Sequence, residues 1–518
     1  MKKLPIGIQN FAKLRNEDCV YVDKTALIYS LITKGSYYFL ARPRRFGKSL
    51  LVSTLQEIFS GNKELFEGLA ISALPYDWQE HPVITISFTD IPHDSPAELL
   101  SGIKKYLQTV AHDNNILLDN SLLPGQMLQE VVKRLSTYNK VVLLIDEYDY
   151  PIIKYIHEPV VAHQMREALK SFYLVIKGLD PYLKFVFLTG VSRFSKTSIF
   201  SGLNNLNDIT IHVDYDTLLG YTQAEIATYF LPYLNVLGEE QKISLEELNI
   251  KIKTWYNGYR FSPRNNAILL YNPFSILLLF NQRQFFNHWF ETGTPTFLIN
   301  LLKANDYPIQ NLDGIKATAG ELGQFEVENI DLKTLMLQAG YLTIKDYNEN
   351  TGNFILGYPN REIMEALSRL IAQSMTNVAP AYFRDVVYEL PQIFEHCDLE
   401  RLYDVLRQLF AMVPYTIHIG EEKYYQTIFY LIFKMLGADI VVEYPTNIGR
   451  IDCVFQTRTA CFVIEFKVNK SADDAMAQIE NKKYYEQYAL QNKKIILVGI
   501  DFDTKIKNVS EIKYEVHS

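Results

Sequence analysis

Two groups of residues have the types and spacing to do chemistry. The first is Arg42-Pro43-Arg44-Arg45-Phe46-Gly47-Lys48-Ser49, set between a β-prone run and a helical one. A glycine, a lysine and a hydroxyl at a strand-to-helix junction suit a polyphosphate. Backbone N–H groups at the helix start face the anion, Lys48 reaches its β and γ oxygens, and Ser49 holds Mg²⁺. Arg44, Arg45, Phe46, Gly47, Lys48, Ser49 and Leu50 are the candidate nucleotide contacts. The standard pattern has glycine where this chain has Arg42, a departure expected to weaken or reshape the cradle. Further along, Val141 to Ile145 is a continuous apolar run that ends in Asp146-Glu147, the form of a Walker B strand. Asp146 would meet Mg²⁺ through water and Glu147 would polarise the attacking water. Thr189 ends the next strand, where a residue sensing the γ-phosphate would stand. Arg193 or Lys196 beyond it would stabilise transferred charge, or serve only as a surface cation.

The second group is Asp452, Glu465 and Lys467, within Gly449-Arg450-Ile451-Asp452 and Val463-Ile464-Glu465-Phe466-Lys467-Val468. Residues i and i+2 of a strand point the same way, so Glu465 and Lys467 share a face. Two charges in an apolar strand cost several kcal/mol unless they are paired or bound to metal. Asp452 on the neighbouring strand would complete a hard-oxygen site for Mg²⁺ or Mn²⁺. Lys467 would position or activate the attacking water and offset phosphate charge.

The elements that must hold these residues follow from the apolar patterning. Short apolar strands at 36–40, 83–88, 141–145 and 185–188 alternate with long helical stretches, which predicts a parallel, doubly wound α/β sheet over residues 1–215. A helical lid is expected over 216–300, with Thr222-x-x-Glu225 as a capping box opening a helical stretch to Tyr256. In 301–418, a helix from Asp331 to Ala339 is followed by two short strands around Asn348-Glu349-Asn350-Thr351-Gly352, the outline of a winged helix within a connecting region. Residues 419–518 read as a further α/β unit. A helix from Lys423 to Leu436 precedes strands at Ile451–Gln456, Ala460–Val468 and Lys494–Gly499, with a helix from Ala472 to Gln491 between the last two.

Composition bounds the rest. At 518 residues, with 48% apolar and 21% charged, the chain is globular and holds two to four domains. A net charge of -8 excludes a coat of positive charge, though not a local basic groove. Cys19, Cys397, Cys453 and Cys461 make no CxxC pair, and the ten histidines form no HExxH. The most apolar window, Ala267 to Phe280, is 14 residues long and contains Asn272-Pro273, too short and interrupted to span a bilayer. The N-terminus lacks the apolar stretch of a signal peptide, so a reduced, cytoplasmic protein is expected.

Several motifs carry a family resemblance. They are Gly7-Ile8-Gln9-Asn10-Phe11, Tyr21-Val22-Asp23-Lys24-Thr25, the 39–49 loop, Trp255-Tyr256-Asn257-Gly258-Tyr259, Tyr271-Asn272-Pro273-Phe274-Ser275 and Glu291-Thr292-Gly293-Thr294-Pro295. Together they resemble the bacterial AAA-ATPase-like proteins, which are similar to STAND-like and archaeal P-loop ATPases. Arg42 is the ordinary form of the loop in that family. The resemblance implies ATP and Mg²⁺ as cofactors and suggests base or ribose contact for Asp23-Lys24-Thr25; the residues alone read rather as a helix start with Asp23 as its cap.

The C-terminal spacings resemble the PD-(D/E)XK nuclease superfamily, with a restriction-endonuclease-like fold. Asp452, Glu465 and Lys467 match its Asp, Glu and Lys, and Gln478 matches a helical Gln near the site. Glu421 or Glu422 matches an acidic residue that completes the metal shell, with Glu422 preferred as nearer the apolar face led by Tyr425. The resemblance implies an ATPase joined to a metal-dependent nuclease that cuts nucleic acid, DNA preferred, under nucleotide control, with a homo-oligomer as a possible assembly. The alternative is a nucleotide-switched signalling or defence scaffold whose nuclease-like domain only binds.

Overall fold

The computed structural model describes all residues except 194–202, 204, 291–311, 324–330, 377–388, 391, 412–426, 432–439, 447–448, 458, 484, 487, 489–492 and 518. The chain divides into two compact units, Met1–Thr292 with Asp313–Asn360, and Gly293–Leu312 with Arg361–Ser518. Residues of the stretch 301–418 fall in both.

In the first unit, α1 (Phe11–Asn16) and α2 (Thr25–Lys34) lead to β1 (Tyr37–Ala41) and α3 (Lys48–Phe59). There follow β2 (Val83–Ser87), α4 (Pro96–Asp113), α5 (Pro124–Leu135), β3 (Val141–Asp146), α6 (Tyr150–Ile153), α7 (Pro159–Tyr173), β4 (Leu183–Gly190) and β5 (Asn207–Asp208). The strands form one sheet in the order β2-β3-β4-β1-β5 with every neighbouring pair parallel. Each residue of β3 is buried, as a strand covered on both faces requires. The register pairs Leu40 with Thr189 and Ser87 with Asp146. The carboxyl ends of the strands therefore share one edge, where parallel α/β sheets place their ligands. Two-residue β5 left no pattern in the sequence to find.

The chain continues through α8 (Gln223–Tyr229), α9 (Leu231–Gln241), α10 (Leu245–Tyr256), β6 (Asn257–Tyr259), β7 (Leu270–Tyr271) and α11 (Pro273–Gln282). The helical stretch expected from Thr222 to Tyr256 is thus three helices. Phe230 leaves helical geometry two residues before Pro232, and Lys242 turns left-handed at φ 55°. Reciprocal capping boxes, Thr222 with Glu225 and Ser244 with Glu247, start α8 and α10. The apolar faces of these helices close over Val20, Tyr271, Ile276 and Phe280.

The unit ends with β8 (Ile315–Thr318), α12 (Ala319–Gly323), α13 (Leu332–Ala339), β9 (Thr343–Asn348) and β10 (Asn353–Gly357), the strands antiparallel in the order β8-β10-β9. Asp331 caps α13 by accepting from Thr334 N, and Gly340 ends it at φ 91°.

The second unit contains α14 (Arg361–Thr376), α15 (Leu399–Ala411), β11 (Ile440–Thr446), β12 (Gly449–Gln456), β13 (Ala460–Val468), α16 (Ala472–Lys482), β14 (Lys494–Asp503) and β15 (Asn508–His517). Its sheet runs β11-β12-β13-β14-β15, antiparallel except for β13 and β14, which α16 joins as a crossover. The helix expected to reach Gln491 stops at Lys482, because Lys483 takes a left-handed cap at φ 46°. Of the helix expected over Lys423–Leu436, residues 427–431 are described and are helical.

Candidate nucleotide cradle and carboxylate–lysine site

The loop between β1 and α3 is bent by two left-handed residues, Arg45 at φ 66° and Gly47 at φ 95°. Gly47 directly precedes the helix, so its conformation turns the first free N–H groups of α3 toward the loop's mouth. Lys48 is buried and donates to the carbonyls of Arg42 at 3.0 Å and Pro43 at 3.1 Å. Burial lowers its pKa, opposed by the carboxylates of Glu147, Asp146 and Asp149. Arg42 points away from the loop's mouth. Its guanidinium donates to the carbonyls of Ala41 at 3.0 Å and of Thr210, and lies over the Phe261 ring at 4.1 Å. Burial brings the Arg42 pKa down to about 9. Where the standard loop has glycine, this one has a tether to residues 210–215.

Asp146 is buried at the end of β3, which raises its pKa, opposed by the neighbouring Ser49 hydroxyl and Lys48. Asp146 Oδ1 has no hydrogen-bond partner among the described residues. An orphaned carboxylate oxygen beside a loop hydroxyl fits a hydrated Mg²⁺. Glu147 adopts φ 50°, a left-handed backbone uncommon for a residue with a side chain, and lines the cleft with Lys48 and Ser49. Thr189 Oγ1 is buried and likewise has no partner among the described residues. Arg193 is committed elsewhere: Nε and Nη2 donate to Asp208 Oδ2 at 3.0 and 2.7 Å. Lys196 lies outside the described residues.

The cleft at the loop is open to solvent and has a volume of about 320 Å³, at the lower end of the range for small-ligand sites. Arg44 and Arg45 stand exposed at its rim, Arg45 over the Phe274 ring at 4.8 Å, and Leu50 forms part of its wall. Phe46 is instead buried edge-on against Tyr259 and Phe261. Asp23-Lys24-Thr25 makes internal contacts. Asp23 accepts from Thr25 and from Ala70 N, while Lys24 pairs with Glu225 at 2.6 Å. Sequence reasoning passed over Asp149, whose carboxylate accepts from Val191 N and Ser192 N and binds the exit of β4 to the turn after β3. The signal was present as the third acid of Asp146-Glu147-Tyr148-Asp149.

In the second unit, β12 and β13 pair from Cys453 with Ile464 onward. Asp452 stands just past that ladder, and its Oδ2 takes the Phe466 N–H at 2.8 Å in place of a strand carbonyl. Glu465 and Lys467 are both buried on one face of β13. Lys467 Nζ donates to Glu465 Oε1 at 3.2 Å and to the Phe466 carbonyl at 2.9 Å. Gln478 on α16 donates to the same Glu465 oxygen. Glu465 Oε2 is buried without a partner among the described residues. Burial first, then the neighbouring Asp452, push the Glu465 pKa up to about 8 against the pull of Lys467.

An orphaned carboxylate oxygen next to a second carboxylate fits a hard divalent cation. Among the described residues no group of three acid, His or Cys side chains surrounds such an ion, and Glu421 and Glu422 lie outside them. The start of α16 is fixed by Asp501, which accepts from Lys470 N at 3.0 Å, and Glu511, which accepts from Ala472 N at 3.2 Å. Neither was singled out in the sequence.

A parallel sheet with a phosphate loop at its carboxyl edge, joined in one chain to a mixed sheet bearing an Asp…Glu-x-Lys group, defines a P-loop protein with a nuclease-like domain. Comparison with known proteins makes this specific. Residues 5–200 match the AAA-ATPase-like family, described as "predicted AAA-ATPase", and residues 420–512 match the PD-(D/E)XK nuclease superfamily. The chain is 37% identical, across 98% of both lengths, to an uncharacterised protein in the vnfD 5′ region of Azotobacter chroococcum mcd 1. It belongs to the AAA-ATPase-like proteins that carry a C-terminal PD-(D/E)XK nuclease superfamily domain. A similar solved structure is that of the Aeropyrum pernix ORC1 protein in complex with DNA, at 12% identity over 67% of this chain and 92% of that one. The TM-score of that match is 0.23. Among the described residues no helix is long and apolar enough to cross a membrane.

Proposed function

We propose that the chain binds and hydrolyses ATP in the first unit and cleaves DNA phosphodiester bonds in the second, with the nucleotide state controlling cleavage. The observation that carries the nuclease reading is the buried, half-satisfied Glu465 beside Asp452, Lys467 and Gln478. Asp452 and Glu465 would hold Mg²⁺ or Mn²⁺, with Glu422 as a further ligand. When bound, the ion supplies Lewis-acid polarisation and a water of lowered pKa. Lys467 orients the attacking water and offsets phosphate charge, and Gln478 fixes the Glu465 carboxylate. In the first unit Lys48 and the α3 N-terminus hold the phosphates, Ser49 and Asp146 the Mg²⁺, and Glu147 polarises the water. Arg44 and Arg45 add rim charge, and Thr189 senses the γ-phosphate. Arg193 would reach transferred charge only by leaving Asp208. We read 315–357 as a winged helix used for packing, since Gly340 at the end of α13 is pressed against Pro43 of the phosphate loop.

The test is cleavage of plasmid, linear and single-stranded DNA and of RNA with Mg²⁺ or Mn²⁺, with and without ATP. Metal-dependent cutting of DNA, abolished in Asp452→Ala and altered by ATP, is expected. The net charge of -8 favours a second reading, in which ATP switches assembly and the nuclease-like domain only binds nucleic acid or protein. Failure to cut any substrate, with ATP binding intact, would select it.

A further inference from the structure

The exit of β4, just beyond Thr189, is gripped from two sides. On one side the Asp149 carboxylate takes the N–H groups of Val191 and Ser192, at 2.6 Å for the shortest bond. On the other, Gln338 near the end of α13 accepts the N–H of Arg193 through Oε1 at 2.8 Å. Gln338 is buried, and its Nε2 has no hydrogen-bond partner among the described residues. Placing an amide there without satisfying its donor has a cost of about 1–3 kcal/mol, which an apolar residue of the same shape would avoid. Packing alone is therefore a poor account of a glutamine at this position.

The turn that follows reaches the other half of the nucleotide site. A Cβ on Gly340 would stand 2.7 Å from the Cβ of Pro43, so the α13–β9 turn lies directly against the phosphate loop. The same turn is held by Tyr259, whose hydroxyl donates to the Gly340 carbonyl at 3.2 Å. Trp289 donates through Nε1 to the Arg44 carbonyl at 3.0 Å and packs on Tyr341. One turn, residues 338–341, thus touches both the loop that would hold the phosphates and the strand exit that follows the γ-phosphate position.

We propose that Gln338 is a positioning residue for ATP hydrolysis, supplied in cis by the small β8–β10 module. It sets the path of residues 190–193, and with it the placement of Thr189, without touching the nucleotide. The inference rests on the ATPase reading above. Because the bond is to the strand exit and not to the loop, nucleotide affinity and turnover should separate. A catalytic group displaced by about 1 Å loses up to about 100-fold in rate while ground-state binding changes little.

The test compares wild type, Gln338→Met, which keeps the shape and removes the acceptor, and Gln338→Glu, which keeps an acceptor oxygen. Single-turnover ATP hydrolysis, affinity for a fluorescent ATP analogue and amide hydrogen exchange of the 186–193 segment are measured on the full chain. Gln338→Met should hydrolyse about 10- to 100-fold more slowly, bind within about twofold of wild type, and exchange faster at Arg193. Gln338→Glu should recover most of the rate. Equal hydrolysis by Gln338→Met and wild type overturns the inference while leaving the ATPase reading intact. A parallel loss of binding and turnover, not restored by Gln338→Glu, also overturns it, since Gln338 would then only support the fold. If Gln338→Met does not fold, Gln338→Asn, which is one methylene too short to reach Arg193, takes its place with the same expectations. A wild-type protein that turns over no ATP defeats the ATPase reading itself and takes the inference with it.

Discussion

Lys467 Nζ stands 3.2 Å from Glu465 Oε1, while the other oxygen of that buried carboxylate has no partner among the described residues. A salt bridge built for stability alone would satisfy both oxygens, because a buried acceptor left empty costs about 1–3 kcal/mol. Here Lys467 and Gln478 both converge on Oε1, leaving Oε2 open in a carboxylate that also feels the charge of Asp452.

That asymmetry makes metal binding depend on pH. Burial holds the Glu465 pKa at about 8, far above the ordinary 4.5, so at neutral pH a cation must displace a proton. Mn²⁺ affinity, followed by calorimetry, should rise about tenfold per pH unit from pH 6 and level off above about pH 8. Glu465→Gln should remove the slope. The sign for stability is opposite. A raised folded pKa contributes stability that is complete below the unfolded value of 4.5 and is lost as pH climbs through about 8. Without metal, the melting temperature of wild type should therefore fall relative to Glu465→Gln between about pH 5 and pH 8. A difference that is flat across that range would mean that Glu465 is not perturbed.

Restoring the standard glycine at position 42 should harm the protein. Arg42 donates to the Ala41 and Thr210 carbonyls and stacks on Phe261 inside the fold. Arg42→Gly strands those carbonyls and opens a cavity, for a loss of about 3 kcal/mol or more. Urea unfolding of the full chain measures it. A change below about 0.5 kcal/mol would show that the tether is dispensable.

How far these sites were legible in the sequence depended on where each residue's partners lie. β1, β3 and β4 announced themselves because strands covered on both faces are unbroken apolar runs, and the loop glycine and lysine are fixed by local geometry. Arg42 could not be read the same way, since Thr210 and Tyr215 lie 168 and 173 positions away. Edge strand β15 was missed because its exposed and half-buried residues leave no clean alternation. Asp452, Glu465, Lys467 and Gln478 were named from spacing, but the unsatisfied oxygen at their centre is a property of packing. Gln338 gave no signal, because its one described bond crosses 145 positions to Arg193.

Lys48→Ala should separate nucleotide binding from folding. Lys48 donates to the Arg42 and Pro43 carbonyls at 3.0 and 3.1 Å and itself lines the cleft, so water can enter the space its side chain leaves. Charge-assisted bonds of this kind contribute about 1.5–3 kcal/mol, so ATP affinity should fall about 10- to 150-fold with little change in melting temperature. Titration with a fluorescent ATP analogue reads this directly. Affinity within twofold of wild type would remove Lys48 from the phosphate site.

Glu511 should matter to the nuclease site without belonging to it. Its carboxylate accepts the N–H of Ala472, the first residue of α16, at 3.2 Å, and places negative charge at that helix's N-terminus. Both effects favour the helix, by about 1 kcal/mol together. Asp501 secures Lys470 N two residues earlier, so the helix start has a second anchor and should survive loss of the first. Gln478 lies on the same helix, and its hydrogen bond sets the orientation of Glu465. Glu511→Ala should therefore cost about 1 kcal/mol in urea unfolding and weaken Mn²⁺ binding several-fold, by letting α16 drift and Glu465 turn. Glu511→Gln keeps an acceptor and should restore most of both. If Glu511→Ala lowers stability with Mn²⁺ affinity unchanged, then α16 does not transmit its position to Glu465, and the carboxylate is held by Lys467 alone.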